Sequence, residues 1–439
     1  MIPKAEAEPD VHRSGEWAAV TRALVPLALE TARGVTRRLT GSSRPPARHG
    51  EHPRWDTEPG FAGATWVIGR TPGTLLRHRP MRLLGTTGGL NPAWTHHIEY
   101  VTTDGRDRTI TATGAVFRSH RPWRGGPRPV IAFAPSTQGV APHCDPSYTC
   151  TVGLNVFHRP PRDLIAAYEL PAINIFLAAG CDVVITDYPR DPDLGLQLYC
   201  DHPAGARALA DAVRAARQLG VADDAPLGLW GFSQGGGTVA TALESPDYAP
   251  DLTPLAAVVG SPPAQLDQVL HHVDGTLATG VVAYATAGLM VSSPEIRHEI
   301  LSVFTEEGLD ALIANLTTCT GGSALASGWR STAHWTRSHM TLGALLDDLP
   351  AVNEEFARRR LGQSAPQTPV LLWGSRHDDV VPFEPVRRLR DDWLRGGARV
   401  IWRENRTPRL PGRTGMNHFL PYFQRLSGDA GWLLDHLHR

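Results

Sequence analysis

Three short segments of the chain carry residue types that together perform nucleophilic chemistry in other proteins. The first, GFSQG at 231–235, places a glycine two positions before and two positions after Ser233. Two adjacent carboxylates, Asp378 and Asp379, and a histidine, His418, follow later in the chain. A serine hydroxyl is a weak nucleophile until a base removes its proton, and a carboxylate commonly orients that base. The chain order serine, acid, histidine is typical of one class of serine hydrolases.

The surroundings of Ser233 favour a sharp turn between a strand and a helix. Leu227, Leu229 and Trp230 suit a buried strand, and the residues after Gly235 suit a helix. Such a turn strains the serine backbone, and side chains two residues away would collide, so glycine is expected there. The N–H groups at the helix start would face negative charge that develops on a bound acyl oxygen. The pattern also arises by chance, so a purely structural glycine turn is the alternative.

The rest of the chain predicts an α/β fold with a mainly parallel central sheet. The segment 96–118 alternates apolar residues on both sides of Asp104 and Gly105, which is typical of a hairpin. Short apolar runs then alternate with helical patterns such as 202–220, as expected for parallel strands joined by crossover helices. The predicted strands lie within 128–139, 181–191, 225–237, 254–263, 368–383 and 398–405.

Between residues 262 and 350 the strand signal vanishes and helical patterns replace it. We interpret this stretch as a helical cap over the strand ends. The predicted organisation is an N-terminal extension or linker at 1–58, a first core part at 59–263, the cap at 264–350, and a second core part at 351–439. The extension contains a possible amphipathic helix at 17–38. The alternative to a linker is therefore that this helix docks on the protein surface.

Composition restricts the partners. The chain has 439 residues, 41% of them hydrophobic and 20% charged, and a formal net charge of −1. These values are ordinary for a soluble globular protein and give no field that attracts nucleic acid or an anionic membrane. No apolar run reaches the ~18 residues of a membrane span, and the sequence gives no clear signal peptide. It therefore predicts a cytoplasmic protein as it stands, and it leaves the oligomeric state open.

No cofactor and no metal are predicted, because the sequence contains neither an HExxH motif nor a calcium-binding loop. None of the five cysteines belongs to a CxxC pair, and their spacing does not set a disulfide connectivity.

Several motifs in one order are more specific than the serine turn alone. They are TPGTLLR at 71–77, STQGVAPHCDPS at 136–147, GCDVVITDY at 180–188, GFSQGGG at 231–237, GSPPAQL at 260–266, DDVVPF at 378–383 and NHF at 417–419. Through them the chain from about residue 65 to residue 439 resembles the secretory lipase family of α/β-hydrolases.

The resemblance implies a role for each matching position. Ser233 would be the nucleophile, Asp378 the acid and His418 the general base. The oxyanion hole would be formed by the backbone N–H groups of Gln234 and Asp187. Two alternatives stay open: Asp379 as the acid, and the loop 135–139 as the source of the second oxyanion donor.

The resemblance also implies a function, hydrolysis of carboxylic esters with a small-molecule ester or lipid as substrate, and it implies secretion, since most members are exported. The cap would cover an acyl tunnel. Cys144 and Cys319 are one candidate disulfide pair that would tie this cap to the core. The alternatives are an acyltransferase that passes the acyl group to an alcohol acceptor, and a binding protein with a relict serine turn.

Overall fold

The computed structural model describes residues 24–32, 67–86, 91–158 and 162–438. Its strands are β1 (Leu75–Pro80), β2 (Ala93–Thr103), β3 (Thr109–Ser119), β4 (Val130–Ala134), β5 (Leu154–Phe157), β6 (Asp163–Ala166), β7 (Asp182–Thr186), β8 (Leu227–Phe232), β9 (Pro254–Gly260), β10 (Val370–Ser375) and β11 (Val400–Asn405). Nine of them form one sheet in the order β1-β2-β3-β7-β4-β8-β9-β10-β11, and β5 and β6 form a separate hairpin.

The strand directions divide the sheet into two parts. β2 is antiparallel to both of its neighbours, β1 and β3, and β3 is antiparallel to β7. From β7 through β11 all neighbours are parallel. Every residue of β4, β7 and β8 is buried, as expected for parallel strands covered on both faces. The mainly parallel sheet predicted from the sequence is therefore confirmed.

The helices are α1 (24–32), α2 (Pro146–Val152), α3 (Leu170–Ala179), α4 (His202–Arg217), α5 (Gln234–Glu244), α6 (Leu266–Val273), α7 (Gly280–Met290), α8 (Pro294–Val303), α9 (Glu306–Leu316), α10 (Thr320–Ser327), α11 (Pro350–Arg358), α12 (Phe383–Arg395) and α13 (Met416–Leu437). Short 3-10 helices lie at Pro142–Cys144, Pro246–Tyr248, Thr332–Trp335 and Gly343–Asp348. Within the described residues, no helix has both the length and the apolar character needed to cross a membrane.

The two faces of the sheet bury separate hydrophobic cores, and β8 shows how the sequence divides between them. Leu227 and Leu229 belong to one core, and Trp230 and Phe232 belong to the other. This division follows from the period of two in strand side chains. The strand that leads to Ser233 is therefore held from both sides.

Six helices, α6 to α11, lie between β9 and β10, and the described residues contain no strand there. The division at 264–350 stays a prediction. Because α11 packs against α6 and α8, we propose that the inserted block reaches Arg358.

A disulfide bond joins Cys144, which follows β4, to Cys319 at the start of α10. It connects the inserted block to the core. The thiols of Cys150, Cys181 and Cys200 are buried and free.

Most of the predicted extension at 1–58 lies outside the described residues. The described part, α1, packs on the core: Leu27 is buried, and Glu30 Oε2 accepts a hydrogen bond of 2.8 Å from the backbone N–H of Gly85.

Candidate active site

Ser233 lies at the junction of β8 and α5 with φ 55° and ψ −122°, a left-handed conformation that side chains rarely adopt. The flanking glycines are required by contact. A Cβ atom at Gly231 would lie 2.1 Å from the carbonyl oxygen of Gly235, and one at Gly235 would lie 1.9 Å from that of Ala134. The absence of side chains at these two positions therefore permits the turn that presents Ser233.

His418 and Asp378 form the second part of the site. The Nδ1 atom of His418 lies 2.7 Å from Oδ2 of Asp378, and both side chains are 1% exposed. The other carboxylate oxygen accepts hydrogen bonds of 2.9 and 2.8 Å from the backbone N–H groups of Val380 and Val381. These bonds fix the carboxylate, so the carboxylate in turn fixes the imidazole.

The second ring nitrogen of His418, Nε2, is buried and has no hydrogen-bond partner among the described residues. The hydrogen bond from Ser233 Oγ to this nitrogen is therefore not formed in this structure. Such bonds are often long in unliganded enzymes and tighten when substrate binds. The imidazole is packed against the ring of Phe232, the residue before Ser233, with ring centroids 4.6 Å apart.

Ser233, Gln234 and His418 all line one cavity of about 1160 Å³. The remaining lining is mainly apolar, and much of it comes from the inserted helices, including Leu266, Val269 and Leu270 of α6 and Val281, Val282 and Ala285 of α7. The side chains of Ser233 and His418 therefore face a large cavity whose walls are mainly apolar.

His418 lies in the first turn of α13, which starts after Gly415 in a left-handed conformation (φ 77°). Asp379 stabilises this start. Its Oδ2 accepts hydrogen bonds of 3.0 Å from Gly415 N and 3.1 Å from Asn417 Nδ2. Asp378 therefore contacts the imidazole of His418, and Asp379 contacts the backbone and the side chain of the segment around Gly415.

The expectation that Asp187 supplies an oxyanion donor is wrong for this structure. Its backbone N–H donates a 2.7 Å hydrogen bond to the carbonyl oxygen of Thr113. Its carboxylate accepts bonds from Ser147 and from the Thr113 hydroxyl, and Asp187 is not among the residues that line the cavity. Asp187 stabilises the contact between β3 and β7, and its N–H is not available to a substrate.

The alternative loop, 135–139, does reach the cavity through Ser136 and Thr137. The backbone N–H groups of Thr137 and Gln234 have no partner within the described part of the chain. The two residues also contact each other, since the Thr137 hydroxyl donates a 3.2 Å hydrogen bond to Oε1 of Gln234. Tyr199 and Tyr168 hold Thr137 from the other side through their hydroxyl groups.

One buried cluster has residue types that bind metals elsewhere: His143, Cys144, Asp163 and Cys319. The two sulfurs are bonded to each other. His143 Nε2 lies 2.7 Å from Asp163 Oδ2, and the same carboxylate accepts hydrogen bonds from the backbone N–H groups of Cys319 and Gly322. The cluster therefore anchors the start of α10. Its sulfur atoms and its carboxylate are already engaged in the disulfide and in these hydrogen bonds.

Sequence reasoning missed Glu169. It is a buried acidic residue directly before α3, and its carboxylate contacts both Ser136 and Tyr422. A single glutamate in a loop gives no pattern that predicts this contact.

Comparison with known proteins places the chain in a family. The secretory lipase family model matches residues 160–437, more than half of the chain. The chain belongs to the secretory lipase family. Among the relatives of this chain is a Mycobacterium tuberculosis protein named "probable inactive lipase", 29% identical over 75% of this chain and 72% of the relative. Another is a secreted triacylglycerol lipase of Malassezia globosa, 25% identical over 75% of this chain and 70% of the relative.

Among solved structures, lipase A of Candida antarctica in its closed state superimposes with a TM-score of 0.68 at 18% identity, covering 85% of this chain and 86% of that chain. The chain thus has the α/β-hydrolase fold predicted from its sequence, and it is a carboxylic ester hydrolase.

Proposed function

We propose that this protein hydrolyses its esters through an acyl-enzyme on Ser233, with His418 as general base and Asp378 as the residue that orients it. One observation carries the proposal. The 2.7 Å contact with Asp378 holds Nδ1 of His418, while Nε2 stays without a partner in the same cavity that Ser233 lines.

The reaction proceeds in two half-reactions. His418 Nε2 takes the proton of Ser233 while Oγ forms a bond to the ester carbonyl carbon, and Asp378 stabilises the imidazolium. Collapse of the tetrahedral intermediate breaks the bond to the alcohol oxygen, which receives the proton from His418. Water then attacks the acyl-enzyme by the same route and releases the carboxylic acid.

The oxyanion would be bound by the backbone N–H groups of Gln234 and Thr137. Gln234 is the first residue of α5, where N–H groups have no partner within the helix. The side-chain hydrogen bond between Thr137 and Gln234 shows that the two residues are in contact. Loss of one such donor typically raises the barrier by about 3 kcal/mol.

The substrate would be a lipid ester. The cavity is large and mainly apolar, and several of its lining side chains are exposed to solvent, namely Val156, Leu325, Trp329, Met416 and Phe423. Exposed apolar residues that continue into an apolar cavity suit a substrate presented at a lipid surface. The relative from Malassezia globosa is named for triacylglycerol, and we propose this substrate class here.

We also propose that the protein is secreted. Its relatives from Malassezia globosa are named as secreted lipases. The disulfide between Cys144 and Cys319 fits this location, since such bonds persist in oxidising compartments. Activity in culture medium that is lost when secretion is blocked would support it, and activity confined to the cells would contradict it.

The name of the Mycobacterium tuberculosis relative makes a direct test of catalysis necessary. Purified protein mixed with p-nitrophenyl butyrate should release p-nitrophenol in steady turnover, preceded by a burst of up to the enzyme concentration when acylation is faster than deacylation. The Ser233→Ala variant should show neither phase. No burst and no turnover from folded wild-type protein would contradict the proposal.

The acyltransferase alternative has no specific observation in its favour. The same assay tests it when a long-chain alcohol is added. Free acid as the main product supports hydrolysis, and a new ester formed faster than free acid would support transfer.

A further inference from the structure

A buried carboxylate outside the proposed triad lies behind the active site. Glu169 is 1% exposed, and its hydrogen-bond donors among the described residues, from Ser136 and Tyr422, are all uncharged. Burial raises the pKa of Glu169 above its usual value. A buried carboxylate without a cation is costly to a fold, so its presence calls for a role.

One oxygen of Glu169 holds the loop that carries the proposed oxyanion donor. Its Oε1 accepts a 2.7 Å hydrogen bond from the backbone N–H of Ser136 and a second bond from the Ser136 hydroxyl. Ser136 directly precedes Thr137, so these bonds limit where the Thr137 N–H can point.

The other oxygen holds the helix that carries the base. Tyr422 donates a 2.7 Å hydrogen bond to Oε2 of Glu169. Tyr422 lies one helical turn after His418 on α13, and its ring stacks on Phe232 with centroids 4.4 Å apart. Phe232 in turn stacks on the His418 imidazole. The contact therefore reaches both the base and the residue before the nucleophile.

We propose that Glu169 is a positioning residue that fixes the Ser136–Thr137 loop relative to the α13 helix. It thereby fixes the position of the Thr137 N–H, the proposed oxyanion donor, relative to His418. This inference rests on the proposed function, because the relative position of the Thr137 N–H and His418 matters only if both act together with Ser233. Glu169 does not line the substrate cavity. Its loss should therefore affect the reaction step rather than ester binding.

The test compares kcat and KM for p-nitrophenyl butyrate in two variants. Glu169→Gln keeps the size of the side chain but has one acceptor oxygen instead of two, so at least one of the two attachments is weakened. We expect kcat to fall about 10- to 100-fold with KM changed less than about twofold. Tyr422→Phe keeps the ring on Phe232 and removes only the hydroxyl. Tyr422→Phe should lower kcat less than Glu169→Gln does. The double variant should have nearly the same kcat as Glu169→Gln alone.

Glu244 provides a matched control. It too accepts hydrogen bonds from uncharged donors, 2.8 Å from Gly362 N and 2.7 Å from Trp393 Nε1, and it lies outside the active-site cavity. Glu244→Gln should lower the melting temperature and leave kcat unchanged. An equal loss of kcat in this control would overturn the positioning role, because the loss would then follow general stability.

Labelling of Ser233 by a fluorophosphonate separates this inference from the proposed function. If wild-type Ser233 is labelled and both Glu169→Gln and Tyr422→Phe keep wild-type kcat, the positioning role is wrong and the triad stands. If Ser233 is never labelled, the proposed function itself fails and takes the inference with it. If Glu169→Gln does not fold, the kcat of Tyr422→Phe decides.

Discussion

Asp378 and Asp379 are adjacent in the sequence, yet their carboxylates hold different parts of the segment that carries the base. Asp378 contacts His418 Nδ1 at 2.7 Å, whereas Asp379 accepts the backbone N–H of Gly415 at 3.0 Å. The chain reversal after β10 separates the two side chains. One carboxylate orients the imidazole, and the other closes the turn before it.

This division predicts unequal effects of two isosteric substitutions. Asp378→Asn should lower kcat for a soluble ester by about 10⁴-fold, because the amide no longer holds the imidazole in the tautomer that accepts the Ser233 proton. Asp379→Asn keeps an acceptor oxygen for Gly415 and should lower kcat by less than about tenfold. Steady-state kinetics on both purified variants measures the difference. The reverse ranking would make Asp379 the acid.

The local chemistry of Ser233 could be predicted from the sequence, since the glycines that the turn requires are two residues away. The parallel strands were predictable for the same reason, because apolar runs and helical patterns are properties of neighbouring residues. The second oxyanion donor could not be predicted from the sequence. Whether the N–H of Asp187 is free depends on its pairing with Thr113, 74 residues earlier in the chain. Glu169 likewise meets Tyr422 only in the folded chain.

The disulfide between Cys144 and Cys319 closes a loop with a sequence separation of 175 residues. Removing it with Cys144→Ala and Cys319→Ala together should lower the free energy of unfolding by about 2–5 kcal/mol, chiefly because the unfolded chain gains freedom. Urea unfolding with and without dithiothreitol measures this. The reductant should destabilise the wild type and leave the double variant unchanged, and an equal response of both would contradict the prediction.

Leu325 is an exposed apolar residue that lines the cavity, and Ile68 is an exposed apolar residue that does not. If the exposed lining residues meet a lipid surface, Leu325→Ser should lower activity on emulsified long-chain triacylglycerol by about tenfold, as expected for one lost apolar contact. Activity on dissolved p-nitrophenyl butyrate should not change. Ile68→Ser should leave both activities unaltered, and a parallel loss in both variants would argue against a localised lipid contact.

His202 gives the stability of the fold a dependence on pH. It is buried, neither ring nitrogen has a partner among the described residues, and burial together with the charge of Arg359 lowers its pKa to about 3. An unfolded histidine has a pKa near 6.5, so between about pH 6.5 and pH 3 the unfolded chain binds a proton that the native state does not. The free energy of unfolding should therefore fall with decreasing pH, by about 2 kcal/mol from pH 7.5 to pH 5.

His202→Phe should remove this part of the pH dependence without loss of a hydrogen bond. His120 is exposed, and His120→Phe serves as the control that should keep the wild-type dependence. Urea unfolding at the two pH values compares the three proteins. The same slope in wild type and His202→Phe would show that another group causes the acid sensitivity.

The most direct measurement is the mass and position of a fluorophosphonate adduct on the native protein. We predict one adduct per chain, located on Ser233 by peptide mapping, absent in Ser233→Ala and formed far more slowly in His418→Ala. An ester hydrolase that carries the adduct on another residue, or that keeps its full activity as Ser233→Ala, would contradict the assignment of the nucleophile.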